Sequence, residues 1–259
     1  MRLAYFCKKG GVGKTTITGE HANYLATRGK RVLIVSVDDQ NSIFEMFGCF
    51  SEIFARDDNY LENLIINSCT LEDALCEFRP NLYGIKTMNT DMLSKKLTLE
   101  RPFEKMFIAT IAKFDSFDYV FFDLPPSSNR TTEILLDYCE MVLLIVELNK
   151  LGVNGFYNTL QYFADCGISF DKIKYILPNG FSKHKSVPNL AYIDLVKMVD
   201  ENVPTATILP SISEKSCIQA AQHKGVSIFD QDNSGFSSYM RAQKNLTERE
   251  LRTVFEQIF

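Results

Sequence analysis

The first residues whose types and spacing could do chemistry are Cys7-Lys8-Lys9-Gly10-Gly11-Val12-Gly13-Lys14-Thr15-Thr16. Gly10, Gly11 and Gly13 let the backbone curl with its N–H groups pointing inward, and a helix starting behind them adds positive potential where phosphate oxygens would sit. In such a cradle Lys14 reaches the β- and γ-phosphates and the Thr15 hydroxyl holds Mg²⁺. The flanking elements have the required types. Leu3, Ala4, Tyr5 and Phe6 read as a short buried strand, and residues 16–27, with Ile17, Ala22, Leu25 and Ala26 at helical spacing, read as the helix it feeds. A glycine-rich turn without a ligand is the plain alternative, but Gly-Lys-Thr in a strand-loop-helix setting favours the nucleotide.

Two carboxylates stand at strand ends. Residues 32–37 form a continuous apolar strand of the kind covered on both faces, and it ends in Asp38-Asp39-Gln40-Asn41-Ser42. Doubly wound sheets place ligands at that end of a strand, so Asp38 is in a position to act. Residues 117–122 form another apolar strand, closing on Asp123-Leu124-Pro125-Pro126. Asp123 beside the cradle would serve the magnesium ion in the Walker B manner, while the prolines stop the strand and stiffen the loop. Aspartate after a strand is also a common helix cap, and the pairing with the glycine-rich loop favours the metal role.

The usual P-loop has a glycine five residues before Gly13, where this chain has Lys8; Lys-Gly-Gly-Val-Gly-Lys-Thr stands instead. This variant resembles the deviant Walker A motif of the ParA/MinD family of ATPases, and the resemblance extends over nearly the whole chain. It implies a P-loop NTPase of α/β class that hydrolyses ATP with Mg²⁺, with nucleotide held by Lys9, Gly10, Gly11, Val12, Gly13, Lys14, Thr15 and Thr16. It implies that Lys9 crosses a dimer interface to the partner's nucleotide, joining Lys14 and Asp38 as the catalytic groups. Asp38 matches the aspartate that orients the attacking water, and Thr15, Asp38 and Asp123 form the metal side. Asn179 matches an adenine-reading asparagine, with Pro210 and its following loop near the base; by itself Asn179 equally suits a turn. The family's second strand usually ends Asp-x-Asp-Pro-Gln, and here Ser36 replaces the first acid and Asp39 the proline.

The elements that must position these groups repeat as strand, loop and helix, which predicts a mostly parallel twisted sheet with right-handed crossovers and helices on both faces. Further strands are expected at 82–87, 141–146, 173–180 and 207–210. Helices are expected from Thr70 as N-cap, through 92–111, and at 134–138, 153–163, 190–199, 212–223 and 236–259. With 259 residues and 46% hydrophobic content, residues 1–259 are expected to form one domain. No apolar run approaches the roughly 20 residues that cross a bilayer, and no signal layout opens the chain, so a cytoplasmic protein is expected. Seven scattered cysteines without a Cys-x-x-Cys pair read as reduced, mostly buried thiols. His21, His184 and His223 read as surface or capping residues.

Within the family, ParA-type relatives bind DNA nonspecifically as ATP dimers, and a ParB-like centromere-binding partner stimulates hydrolysis. A homodimer, nonspecific DNA and nucleoid association are therefore expected here, with Lys183, Lys185, Lys215, Lys224, Arg241 and Lys244 as candidate DNA contacts. Each also reads as an ordinary solvated charge, and a net charge of −4 does not announce a nucleic-acid binder. MinD-type relatives instead bind membranes through a basic C-terminal helix. Here Leu251, Val254, Phe255, Ile258 and Phe259 form an apolar stripe, but acids interrupt the polar face, so a core-packing helix is favoured and a membrane is not. The chain opens at the first strand, without the N-terminal helix-turn-helix of larger relatives, and resembles a short ParA. A metabolic P-loop ligase or an iron-protein reductase is disfavoured, since no cluster-ligating cysteines follow Asp123.

Overall fold

A computed structural model describes residues 1–53, 59–181, 186–213, 216–231 and 235–258, with backbone alone at 181 and 186–189. Its strands are β1 (Arg2–Phe6), β2 (Val32–Ser36), β3 (Cys76–Arg79), β4 (Leu82–Ile85), β5 (Tyr119–Asp123), β6 (Met141–Glu147), β7 (Ile173–Phe181), β8 (Thr207–Ile208) and β9 (Ile212–Ser213). They build one sheet in the order β3-β4-β2-β5-β1-β6-β7-β8, with β9 also on β7. Among the described residues only β3–β4 is antiparallel.

The apolar runs form central strands because both faces are covered. Leu33 and Val35 of β2 enter one core while Val32 and Ile34 enter the other. Helix α1 (Lys14–Thr27) supplies Ile17, Ala22 and Leu25 to the second core, and the helix Lys150–Asp165 supplies Phe156, Leu160 and Phe163 to the first. This is the expected P-loop architecture, a mostly parallel sheet between two helical layers.

The C-terminal helix Ser238–Phe255 closes the second core with Leu251, Val254 and Phe255, and Ile258 follows. The apolar stripe therefore packs inward; Phe259 lies outside the described residues. His21 is a correction to the expected surface role. It is fully buried, its ring stacks on Phe255 at 4.4 Å and its Nδ1 hydrogen-bonds the Tyr5 hydroxyl at 2.9 Å. Burial pushes its pKa down to about 3, so the ring is neutral. His184 falls outside the described residues.

Thr70 caps the helix Leu71–Ala74 as expected, in a reciprocal box with Asp73. The region 92–111 divides into helices Thr90–Leu99 and Arg101–Ala112, with Pro102 in the first turn of the second, a position that needs no N–H. Two strands depart from expectation. β9 occupies Ile212–Ser213, where a helix is expected, and that helix begins at Ser216. β3 is four residues long, too short for an alternating pattern, and joins β4 through Asn81 at φ 68°.

The hairpin depends on a missing side chain. A Cβ on Gly84 of β4 would stand 2.2 Å from Phe78 Cζ of β3. Gly84→Ala should therefore destabilise the protein by about 1–3 kcal/mol through overpacking, read from the denaturant midpoint. An unchanged midpoint would show that the Phe78 ring has room to move.

Candidate functional site

The sheet order brings the predicted loops together. β5 lies between β2 and β1, with Asp123 in register with Ser36 on one side and Tyr5 on the other. All three strands run parallel, so their carboxyl ends share one edge, and the glycine-rich loop, the Asp38 loop and the Asp123 loop meet there. They surround a cavity of about 590 Å³ whose walls include Gly13, Lys14, Thr15, Asp38 and Pro126.

The loop's turn uses backbone angles that favour glycine, with Gly11 at φ 73° and Gly13 at φ 95°. A Cβ at Gly13 would also come within 2.8 Å of Asn179 Nδ2. That amide donates to the Val12 carbonyl at 2.8 Å, which anchors the loop to β7. Lys14 is 7% exposed and its ammonium donates to the Lys9 carbonyl at 3.1 Å. Burial pulls its pKa down, against the attraction of Cys7, Asp123 and Asp38.

Asp123 is 2% exposed, and its Oδ1 accepts a 3.0 Å hydrogen bond from the Thr15 hydroxyl. Burial raises its pKa to about 7; the Thr15 bond lowers it, nearby Asp38 raises it and Lys14 lowers it. Asp38 is half-buried, and its Oδ1 accepts from the Gln40 N–H at 3.0 Å. A hydroxyl and carboxylates at the mouth of a glycine cradle are hard oxygen donors, a set suited to Mg²⁺ that shares its remaining positions with phosphate and water. Among the described residues no group of three His, Cys, Asp or Glu is placed to hold a metal ion.

Ser36 and Asp39 are the two departures from the expected strand-end pattern. Ser36 is fully buried beside Asp123, and its hydroxyl donates to the Asp38 carbonyl at 3.3 Å. Asp39 is exposed.

Other predicted residues stand outside the cavity. Lys9 is not among its walls: its ammonium is ion-paired with Glu147 and lies 3.5 Å from Asn149 Oδ1, at the end of β6. The Val12 side chain is buried in the second core, leaving only its backbone to the loop. Asn179 contacts the loop from behind, and Pro210 is exposed.

The candidate DNA contacts are scattered in fate. Lys183, Lys185 and Lys215 lie outside the described residues. Lys224 and Arg241 are exposed, donating to the Gly235 and Phe236 carbonyls respectively. Lys244 is a correction: it is 3% exposed and its ammonium donates to the Asp230 carbonyl, so it cannot meet a phosphate backbone at the surface.

The cavity also recruits residues that carried no motif. Ser42, Glu45 and Met46 of helix α2 (Ser42–Met46) form one wall, and Gln222 and His223 another. Gln222 Nε2 donates to the Thr16 hydroxyl at 2.9 Å. Only their nearness to the Asp38 loop could have signalled the α2 residues. Nothing local marks Gln222, 206 positions from its partner.

Comparison with known proteins agrees with this geometry. The chain is 28% identical to the sporulation initiation inhibitor protein Soj of Bacillus subtilis over 168 residues, 61% of this chain and 63% of that one. It is 26% identical to the maintenance of carboxysome distribution protein A of Synechococcus elongatus, covering 85% of this chain and 88% of the relative. The matched region spans slightly less than two thirds of the length of the first curated relatives, at 66%, 63% and 64%. In fold it resembles the Cyanothece McdA–ATP complex, with a TM-score of 0.76, 19% identity and 99% and 94% of the two chains covered. It likewise resembles a plasmid partition protein from Borrelia burgdorferi, with a TM-score of 0.67, 18% identity and 98% and 99% covered. Residues 2–170 match the family model described as AAA domain, and with this fold and this glycine loop the chain belongs to that family, as a P-loop protein of the ParA/MinD type.

Proposed function

We propose that this chain is a ParA-type ATPase: two copies close over ATP, bind DNA or a DNA-borne cargo in that state, and separate when the nucleotide is hydrolysed. The observation that carries the reading is the contrast between its two loop lysines. Lys14 is buried in the cavity wall, whereas the Lys9 ammonium sits outside, paired with Glu147 at the partly exposed end of β6. A lysine placed there is free to serve a neighbour's site after exchanging one partner for another.

In this mechanism the loop N–H groups and Lys14 bind the β- and γ-phosphates and hold them in line. Thr15 and Asp123, with Asp38 beside them, would hold Mg²⁺, which would neutralise charge on the phosphate oxygens. Asp38 orients the attacking water, and Lys9 of each copy offsets charge developing on the other copy's triphosphate, as an arginine finger does. Asn179 holds the loop in shape through the Val12 carbonyl, and it and Pro210, both outside the cavity walls, are the groups assigned to the base. Hydrolysis removes the bridge between the copies, so dimer lifetime is set by turnover. Residues 1–259 act as one domain in this reading, supported by a single sheet that draws strands from Arg2 to Ser213.

The DNA arm rests on family type and on exposed Lys224 and Arg241. A ParB-like protein would be the stimulating partner. The described part of the C-terminal stripe packs into the core, and no described helix is long and apolar enough to cross a bilayer.

Lys14→Ala should lose nucleotide binding in calorimetric titration, while Lys9→Ala should bind ATP but neither dimerise nor turn over, with a rate loss of roughly 10³-fold. Full turnover by the Lys9→Ala protein would overturn the trans assignment. Asp38→Ala should hold the ATP dimer, seen as a persistent dimer mass in light scattering; a dimer that decays at the wild-type rate would remove Asp38 from water activation. DNA co-sedimentation should require ATP over ADP and weaken steadily as salt rises. Binding that ignores nucleotide would sink the DNA arm and leave a cargo bound through protein contacts.

A further inference from the structure

We propose that Glu20 is a positioning residue of the phosphate cavity: through Ser227 and Ile228 it sets the wall that Gln222 and His223 present to the nucleotide. This role rests on the nucleotide reading of the cavity and adds to it a group outside the cavity walls, fully buried in the fold. Helix α1 carries Lys14 and Thr15 in its first turn, so a segment fastened along α1 is placed against the phosphate loop. Thr16, Glu20 and Asn23 are spaced i, i+4 and i+7, which puts them on one face of that helix.

Each of the three meets a later segment of the chain, in the same order. The Thr16 hydroxyl accepts from Gln222 Nε2 at 2.9 Å. The Glu20 carboxylate accepts from the Ser227 hydroxyl at 2.7 Å and from the Ile228 N–H at 3.0 Å. Asn23 Nδ2 donates to Asp230 Oδ1 at 2.8 Å. Residues 222–230 thus lie along α1, fastened at both ends and in the middle. The middle bonds bind hardest, because a buried carboxylate without donors has nothing to replace the water it lost. Burial pushes the Glu20 pKa up to about 7; the Ser227 and Ile228 bonds pull it down, Asp230 adds to the rise and Lys244 opposes it. The turn is also braced from the other side. Ser227 Oγ accepts from the Phe229 N–H at 3.1 Å, and Asp230 Oδ2 accepts from the Ser227 N–H and from Arg79 Nε of β3, both at 3.0 Å.

The same segment meets the cavity's other wall. Gly225, at φ 66°, packs so closely that a Cβ on it would stand 2.5 Å from Gly48 Cα. Gly48 follows α2, whose Ser42, Glu45 and Met46 line the cavity. Holding residues 222–230 on α1 therefore fixes the two walls relative to each other. Thr15, Asp38 and Asp123 make none of these bonds, so Glu20 governs how well nucleotide is held and leaves the chemistry at the phosphate alone.

The test uses the full-length protein, with calorimetric titration of ATP in the presence of Mg²⁺ and hydrolysis measured at saturating ATP. Glu20→Ala and Ser227→Ala should each raise the Kd for ATP about tenfold, while kcat stays within about twofold, the pattern of binding lost equally from ground and transition states. Glu20→Gln keeps an acceptor oxygen for both donors and should retain the wild-type Kd. Amides of residues 222–230 should exchange hydrogen faster in both alanine variants. Ser227→Ala spares the core volume and carries the test should Glu20→Ala fail to fold. Exchange that quickens with an unchanged Kd would reduce Glu20 to a structural group and overturn the proposal, as would a kcat loss at constant Kd or a Glu20→Gln protein as weak as Glu20→Ala. A wild-type protein that binds no ATP would sink the nucleotide reading, and this role with it, before any variant is compared.

Discussion

The structure depends on one buried carboxylate. Removing a carboxylate from water costs several kcal/mol unless partners offset it. Asp123 has such partners because the register β2–β5–β1 sets its strand end beside the glycine loop. The Thr15 hydroxyl bonds it and the Lys14 ammonium faces it, yet burial still holds its pKa near 7. Around neutral pH the group is thus balanced between its neutral and charged forms. A cation bound there would draw it to the charged form, so the same burial that destabilises the carboxylate makes it responsive to what enters the cavity.

The residue in register with Asp123 on β2 is a serine and not an acid. A carboxylate at Ser36 would be a second buried acid in register with Asp123, and like charges at that spacing raise each other's pKa. Serine removes the conflict and keeps a hydrogen bond to the Asp38 backbone. Asp38 itself stays half-buried and is shaped by its own Gln40 turn, so its carboxylate remains accessible to water.

The legibility of the chain varied with the range of the interaction. The glycine loop and strands β1, β2, β5 and β6 were plain, because contiguous apolar runs ending in chemistry-bearing residues leave few alternatives. β3 and β9 were not, since strands of four and two residues carry no period and exist only where a neighbour offers an edge. His21 was misread for a similar reason: one histidine on a helix gives no sign that Phe255, from the far end of the chain, will stack on it. Lys244 reads as a surface cation in sequence, yet the fold buries its stem and uses its ammonium to satisfy a carbonyl.

By itself the sequence determined the glycine-rich loop, the parallel α/β architecture and the carboxylates at strand ends, since these follow from backbone freedom and hydrophobic period over adjacent residues. Tertiary structure alone decided which groups meet: Thr15 with Asp123 across 108 residues, Gln222 with Thr16 across 206, and Lys9 with Glu147 outside the cavity. Such pairings are set by strand order and register, and those are chosen by the burial of both sheet faces at once, a property of the whole chain that no local window contains.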